Sequence, residues 1–280
     1  MNDSRSSRPS RSPRAVLPDV ELRVLGEYRG LLFVDKPAGL QTEPDARTTD
    51  TLLSRLATQL GEPLSRLHAL SRLDTGVSGV VTLGLSSEAR RLVEGWRERG
   101  RFTRRYLALA AGALGTLGAS APRARGEWTE SIGRAAGSLR SVNGRNAEAA
   151  HTDYALVESS PVQPRAQPAQ LHLLALGPRT GRTHQLRVHC AAHALPLLGD
   201  RGYGGASRLI RDSGAVLALD RIALHAAWVE LPLDQPLRIE AETPPFLREL
   251  WADLAGDPAA LETARRVAVG APRASDGAMV

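Results

Sequence analysis

Arg72-Leu73-Asp74-Thr75-Gly76-Val77-Ser78-Gly79 runs directly into the apolar segment Val80-Val81-Thr82-Leu83-Gly84-Leu85. A short apolar run bounded by turn residues reads as a buried strand. Leu-Asp-Thr-Gly ahead of it reads as a turn, which sets the Asp74 carboxylate at the strand's mouth, where working residues often sit. The plain alternative is an Asx-turn, in which the carboxylate only bonds its own backbone. Asp-Thr-Gly also spells the aspartic-protease signature. That chemistry needs two such loops sharing a proton, and the chain contains a single Asp-Thr-Gly.

Working outward, Leu31-Leu32-Phe33-Val34 reads as a second buried strand, stopped by the turn Asp35-Lys36-Pro37-Ala38-Gly39. Asp50 is placed to cap a helix with an apolar stripe at Leu52, Leu53, Leu56 and Leu60, and Ser86 or Ser87 to cap another carrying Leu92, Val93 and Trp96. Phe102 to Leu114 reads as a strand, and Asn143-Gly144 as a hairpin tip. Strands resume at 152–157, 171–176 and about 222–231, with a surface loop at 159–170 between the first two. Thr183 is expected to cap a helix of about ten residues ending near Ala194, and a further helix follows Pro244-Pro245. Many strands, few helices and no regular βαβ alternation predict an α+β protein on a mixed or antiparallel sheet.

Composition narrows the partners. The chain has 280 residues, a net charge of +6, 35 arginines and one lysine, Lys36. Such a balance favours polyanions, nucleic acid first. The single cysteine, Cys190, excludes an internal disulfide and suits a reducing cytoplasm. No apolar run approaches the roughly 18 residues of a membrane span, and the polar N-terminus lacks the apolar stretch of a secretory signal. Residues 1–18, rich in Ser, Arg and Pro, are expected to form a disordered electrostatic arm.

The second decisive stretch is Gly181-Arg182-Thr183-His184-Gln185-Leu186-Arg187-Val188-His189. A cation near a helix start faces the positive end of the helix dipole. Arg182 and Arg187 there make sense with an anion between them, either phosphate or carboxylate. A bidentate pair with Asp74 would hold that carboxylate rigid and ionised, ready as nucleophile or base; a solvated helix end is the alternative reading. Tyr106, directly after strand arginines 104 and 105, has the setting of a ring that stacks on a base while guanidiniums take phosphates. His189 and His193 share zinc-ligand spacing, but no second ligand cluster or interior glutamate accompanies them, so capping, packing or RNA contacts are favoured over a metal. Gly199 to Gly205 matches neither dinucleotide nor P-loop spacing and reads as a turn.

Taken together, six ordered segments resemble the RluA-type pseudouridine synthases over about residues 22 to 252. They are Val34-Asp35-Lys36-Pro37-Ala38-Gly39-Leu40, Arg72-Leu73-Asp74 with Ser78-Gly79, Arg105-Tyr106-Leu107-Ala108, Thr180 to His189, Leu198-Gly199-Asp200 with Tyr203-Gly204, and Leu224-His225-Ala226. The resemblance implies a mixed, mainly antiparallel sheet in two halves flanking a central cleft. It further implies conversion of uridine to pseudouridine in tRNA or rRNA, by a monomer, with neither cofactor nor metal. By position Asp74 is the catalytic aspartate, Arg187 its ion-pair partner, Tyr106 the ring against the target base, and Arg72 the residue that keeps the flipped-out site open. The catalytic domain is expected to span 19–256, with a short helix and flexible tail over 257–280. Ser71 and Val77 depart from the family's usual histidine and threonine, which leaves an RNA-binding protein of the same fold without turnover as the alternative. About twenty residues precede the core, too few for the small RNA-binding module that family members often carry.

Overall fold

The computed structural model describes residues 21–112, 125–160, 170–210 and 213–270. The N-terminal arm, the last ten residues, the predicted end of the strand at Leu114 and most of the predicted surface loop lie outside these residues.

In chain order the strands are β1 (Arg23–Tyr28), β2 (Leu31–Lys36), β3 (His68–Ala69), β4 (Ser78–Gly84), β5 (Thr103–Gly112), β6 (Arg125–Trp128), β7 (Ile132–Arg134), β8 (Arg140–Val142), β9 (Arg145–Glu148), β10 (Thr152–Ser159), β11 (Gln170–Pro178), β12 (Arg208–Ile210), β13 (Val216–Ala218), β14 (Leu224–Leu231) and β15 (Leu237–Glu240). The helices are α1 (Leu52–Leu60), α2 (Ser87–Glu98), α3 (Gln185–Ala192), α4 (Pro245–Asp253) and α5 (Pro258–Arg266). Ten strands form one sheet in the order β1-β2-β4-β14-β5-β11-β10-β6, with β3 on β4 and β15 on β14. All of its pairings are antiparallel except β4 with β14. The expected α+β class with a mainly antiparallel mixed sheet is what the chain forms.

That parallel pair is short, His225 opposite Ser78 and Ala226 opposite Gly79, and it joins the two halves of the sheet. Gly79 makes the join possible. It holds φ +109, and a Cβ there would sit 2.1 Å from the Ala226 carbonyl oxygen. Only a residue without a side chain combines that dihedral with that approach. Beside it the Ser78 hydroxyl and His225 Nδ1 lie 2.9 Å apart, tying the halves a second time.

Strand β5 shows how the core is built. Tyr106, Ala108 and Ala110 face one apolar cluster with Leu176, Leu186 and Leu224. Leu107, Leu109 and Ala111 face another with Leu173, Trp228, Leu247 and Trp251. The period of two along a strand thus packs both faces. Helix α5 belongs to the second cluster through Ala260, Leu261 and Ala264, so packing continues past residue 256.

Local details correct several expectations. Helix α1 is capped by Thr51 in a capping box with Ser54, because Asp50 turns outward to Arg55 at 2.6 Å. Ser86 caps α2 as one of the two serines foreseen. Asn143-Gly144 is not a hairpin tip: β8 and β9 both pair with β7 and lie on either side of it. Thr183 does not cap α3. His184 occupies that position at φ 58 without a side-chain cap bond, and α3 has eight residues rather than about ten.

Candidate active site

Asp74 sits in the turn before β4, closed by a hydrogen bond from the Val77 N–H to the Asp74 carbonyl at 3.0 Å. The carboxylate is not spent on its own backbone. Arg187 Nη1 donates to its Oδ2 at 2.8 Å, across 113 residues of sequence. The other edge of the same guanidinium grips Asp200, Nε to Oδ2 at 2.7 Å and Nη2 to Oδ1 at 2.8 Å. One arginine therefore holds two carboxylates, and they differ in access. The Asp200 side chain is 1% exposed and the Asp74 side chain 28%. Asp200 anchors the arginine, while Asp74 faces the cleft. The ion pairs outweigh burial and raise the Arg187 pKa further above its ordinary value. Tyr203 closes the arrangement, its ring 4.8 Å from the guanidinium carbon.

The cleft around Asp74 holds about 1210 Å³, and its walls include Arg72, Arg97, Arg104, Arg140, Arg179, Arg182 and Tyr106. Tyr106 is 7% exposed, and burial raises its hydroxyl pKa against the opposing charge of nearby Arg104. Arg72 stands in solvent at the mouth, 3.4 Å from Glu43. The four residues singled out in the sequence therefore all line one cavity.

Two arginines behave differently from expectation. Arg182 shares no anion with Arg187; it pairs with Glu148 and donates Nε to the Ala149 carbonyl at 2.9 Å. Arg105 takes no part in the cleft, since the strand's alternation turns it to the opposite face. There it is buried, stacked 5.2 Å from the Trp228 ring and bonded to the Val267 carbonyl. Arg104 alone of that pair faces the cavity, bonded to the Pro178 and Thr180 carbonyls at 3.1 and 2.9 Å.

His189 and His193 pack rather than converge. His189 lies 2.9 Å from Thr152 Oγ1 and 3.0 Å from the Glu130 carbonyl, and His193 stacks on Trp128 while meeting Glu130 at 2.9 Å. Among the described residues one other trio, Glu127, His151 and Asp153, has ligand atoms within 4.8 Å of one another. Arg179 already occupies Asp153 from both sides of its carboxylate, at 2.6 and 2.7 Å, so its guanidinium stands where a cation would.

Three members of the site were not foreseen in their roles. Asp200 and Tyr203 lie in the Gly-rich turn, where no periodic or spacing signal marks a carboxylate as an arginine's anchor. His184 carries no signal of its own in the sequence beyond its place in the Gly181–His189 stretch. Lys36 is fully buried, its ammonium donating to the Leu40 and Pro37 carbonyls at 2.7 and 3.0 Å, and burial pushes its pKa down to about 7 against the pull of Asp74. The departures Ser71 and Val77 line the cleft without disturbing the ion pair, and Ser71 Oγ accepts the Thr82 N–H at 2.8 Å.

Residues 30–192 match the family model described as RNA pseudouridylate synthase. The chain is 36% identical over 264 residues to ribosomal large subunit pseudouridine synthase D of Xanthomonas campestris pv. campestris, covering 89% of this chain and 74% of that one. It is 31% identical over 242 residues to tRNA pseudouridine synthase C of Salmonella typhi, covering 82% and 87%. The solved structure of Human RNA Pseudouridylate Synthase Domain Containing 1 superposes with a TM-score of 0.62 at 26% identity, covering 92% of this chain and 99% of that chain. The match over residues 30–192 and these relatives show that the chain belongs to the RNA pseudouridylate synthase family, isomerases that convert uridine in RNA to pseudouridine.

Proposed function

We propose that this protein modifies a uridine of ribosomal RNA or tRNA in the cytoplasm, with Asp74 as its catalytic residue. The observation that carries the reading is the Asp74–Arg187 ion pair at 2.8 Å on the wall of an arginine-lined cleft. Arginines at the mouth and walls take the backbone phosphates, a contribution that weakens with salt. The target nucleotide leaves the helical stack to reach the carboxylate, and Arg72, exposed at the cleft, supports the vacated stack. Tyr106 offers its ring to the everted base.

The chemistry follows from what each group can do. Arg187, itself fixed by Asp200, occupies one oxygen of Asp74 and leaves the other facing the cleft. Asp74 addresses the ribose, as nucleophile at carbon 1′ or as base at carbon 2′. The bond from carbon 1′ to nitrogen 1 breaks with its electron pair passing to the base, and the ring turns while enclosed. Carbon 5 then bonds to carbon 1′, which releases the Asp74 ester or, on the other route, goes with return of the proton to carbon 2′. Loss of the proton from carbon 5 and gain of one at nitrogen 1 complete the isomerisation.

Release of tritium from RNA labelled at uridine carbon 5 tests this directly. Asp74→Asn is expected to abolish release while RNA affinity stays within a few-fold. Release by that variant at the wild-type rate would overturn the assignment of Asp74. No release by the wild-type protein from total rRNA and tRNA would overturn the substrate reading. Mapping pseudouridines in cells with and without the protein then identifies the target.

A further inference from the structure

His184 is the one residue of the site whose backbone is strained. It holds φ 58 at the start of α3, a left-handed conformation that non-glycine residues rarely adopt. Strain of this kind persists where the surroundings over-determine it, and it collects at functional sites. Here the determinant is visible. His184 Nδ1 lies 2.7 Å from the Tyr203 hydroxyl, and the two rings meet edge to face.

The tautomer follows from the next bond along. The Arg140 backbone N–H donates to the Tyr203 oxygen at 3.0 Å. Among the described residues the acceptor within reach of that tyrosine's own proton is His184 Nδ1. That proton is accepted when Nδ1 is the lone-pair nitrogen, which puts the imidazole proton on Nε2. Nε2 lies 3.9 Å from Asp74 Oδ1, while Arg187 holds Oδ2. At that separation the N–H makes no hydrogen bond to the aspartate. It remains a donor on a residue that lines the cleft, beside the oxygen that Arg187 leaves free.

We propose that His184 is a second catalytic residue, a neutral imidazole whose Nε2–H donates to the O2 carbonyl of the departing uracil, and that Tyr203 is the positioning residue that fixes its tautomer. The inference rests on the reading of Asp74 as the group that addresses the ribose. Whichever way Asp74 acts, the glycosidic bond breaks with its electron pair passing to the base. The negative charge then spreads from nitrogen 1 onto the O2 and O4 carbonyls. O2 is attached to the carbon next to nitrogen 1, so a base seated over Asp74 brings it close to the donor. No proton needs to move, because a hydrogen bond that strengthens as charge develops is sufficient. Burial lowers the His184 pKa, with Arg187 and Arg140 acting in the same sense and Asp74 and Asp200 opposing. The raised pKa of Tyr203 keeps its hydroxyl a donor. A neutral imidazole used as an electrophile has precedent in enzymes that stabilise enolates.

The test crosses two enzymes with three substrates, using the RNA on which tritium release is observed, made synthetically with uridine, 2-thiouridine or 4-thiouridine at the target. The variant is His184→Asn, since asparagine tolerates the left-handed backbone and its shorter side chain withdraws the donor. On uridine we expect kcat to fall about 100-fold, as for loss of one oxyanion donor, with KM for RNA within twofold. On 2-thiouridine, whose sulfur is a poor acceptor, the penalty should shrink to less than about 10-fold, while on 4-thiouridine it stays near 100-fold. An equal penalty on uridine and 2-thiouridine would overturn the contact. In the folded wild-type protein, nitrogen-15 NMR of His184 should show the proton on Nε2, and Tyr203→Phe should lose that preference; a proton on Nδ1 in the wild type sinks the assignment. Asp74→Asn run alongside separates the two claims. If it is inactive and His184→Asn shows no coupling to O2, only the histidine inference fails; if it turns over, the reading of the site fails first.

Discussion

Arg187→Met is the sharpest probe of how this site is held. The substitution keeps much of the side chain's volume and removes its charge, leaving two carboxylates without a partner. Their costs differ because their access to water differs. Asp74, 28% exposed, can rehydrate, whereas Asp200 at 1% cannot. Stranding a buried carboxylate by removing its partner costs about 3–5 kcal/mol, and nearly all of that is expected to fall on Asp200. In a chain of this size such a loss lowers the melting temperature by roughly 6–20 °C. Urea denaturation of wild type and variant at pH 7 measures the deficit. The double variant Arg187→Met, Asp200→Leu removes both charges and should recover most of the loss, since an apolar replacement for a buried pair is often neutral. A single-variant deficit below about 1 kcal/mol, or a double variant no better than the single, would refute the anchoring role of Asp200.

Other substitutions test the frame around the site. Gly79→Ala should cost more than about 4 kcal/mol, because its Cβ would meet the Ala226 backbone at 2.1 Å in a left-handed conformation; a stable, active Gly79→Ala protein would contradict the join between the half-sheets. His225 is buried neutral, its pKa driven down to about 3. Its stability contribution is complete above the unfolded pKa of about 6.5 and declines by about 1.4 kcal/mol per pH unit as pH falls toward 3. His225→Leu should flatten that slope in acid denaturation relative to wild type, and an unchanged slope would show that the imidazole already charges in the folded state. Lys36→Met leaves the Leu40 and Pro37 carbonyls without their donor, for a loss of about 1–3 kcal/mol by urea denaturation; no loss would mean those carbonyls find other donors.

Strands such as β2, β4 and β5 were legible because both of their faces are buried, which leaves continuous apolar runs bounded by turn residues. Asp74 and Arg187 were legible through their local oddity: an acid at a strand mouth, and a cation at the wrong end of a helix. What one-dimensional reading could not supply was the partner at distance. Arg187 reaches back 113 residues to Asp74 and forward 13 to Asp200, and Asp200 sits in a turn with no periodicity to betray it. Arg105 misled for a similar reason. Next to Tyr106 in sequence it looked like a phosphate contact, but adjacent residues of a strand point to opposite faces, and it serves α5 instead. The cap of α3 failed on local chemistry, because Thr183 is the usual capping residue type and the left-handed turn at His184 is imposed by tertiary contact with Tyr203.

Several residues that take no part in the chemistry still have a consequence for it. Asp74 hangs from the turn before β4, in one half of the sheet, while Arg187 and His184 come from the loop and helix that follow β11, in the other half. The distance between them is therefore set where the halves meet. Along the sheet that meeting is one two-residue parallel pairing, the Gly79–Ala226 approach and the Ser78–His225 contact, with apolar packing across it. A displacement of about 1 Å at reacting groups can cost 100-fold in rate, far more than the same shift costs in packing. Ser78-Gly79 and Leu224-His225-Ala226, which carry no group that touches the cleft's carboxylate, are best understood as the parts that hold the ion pair at 2.8 Å.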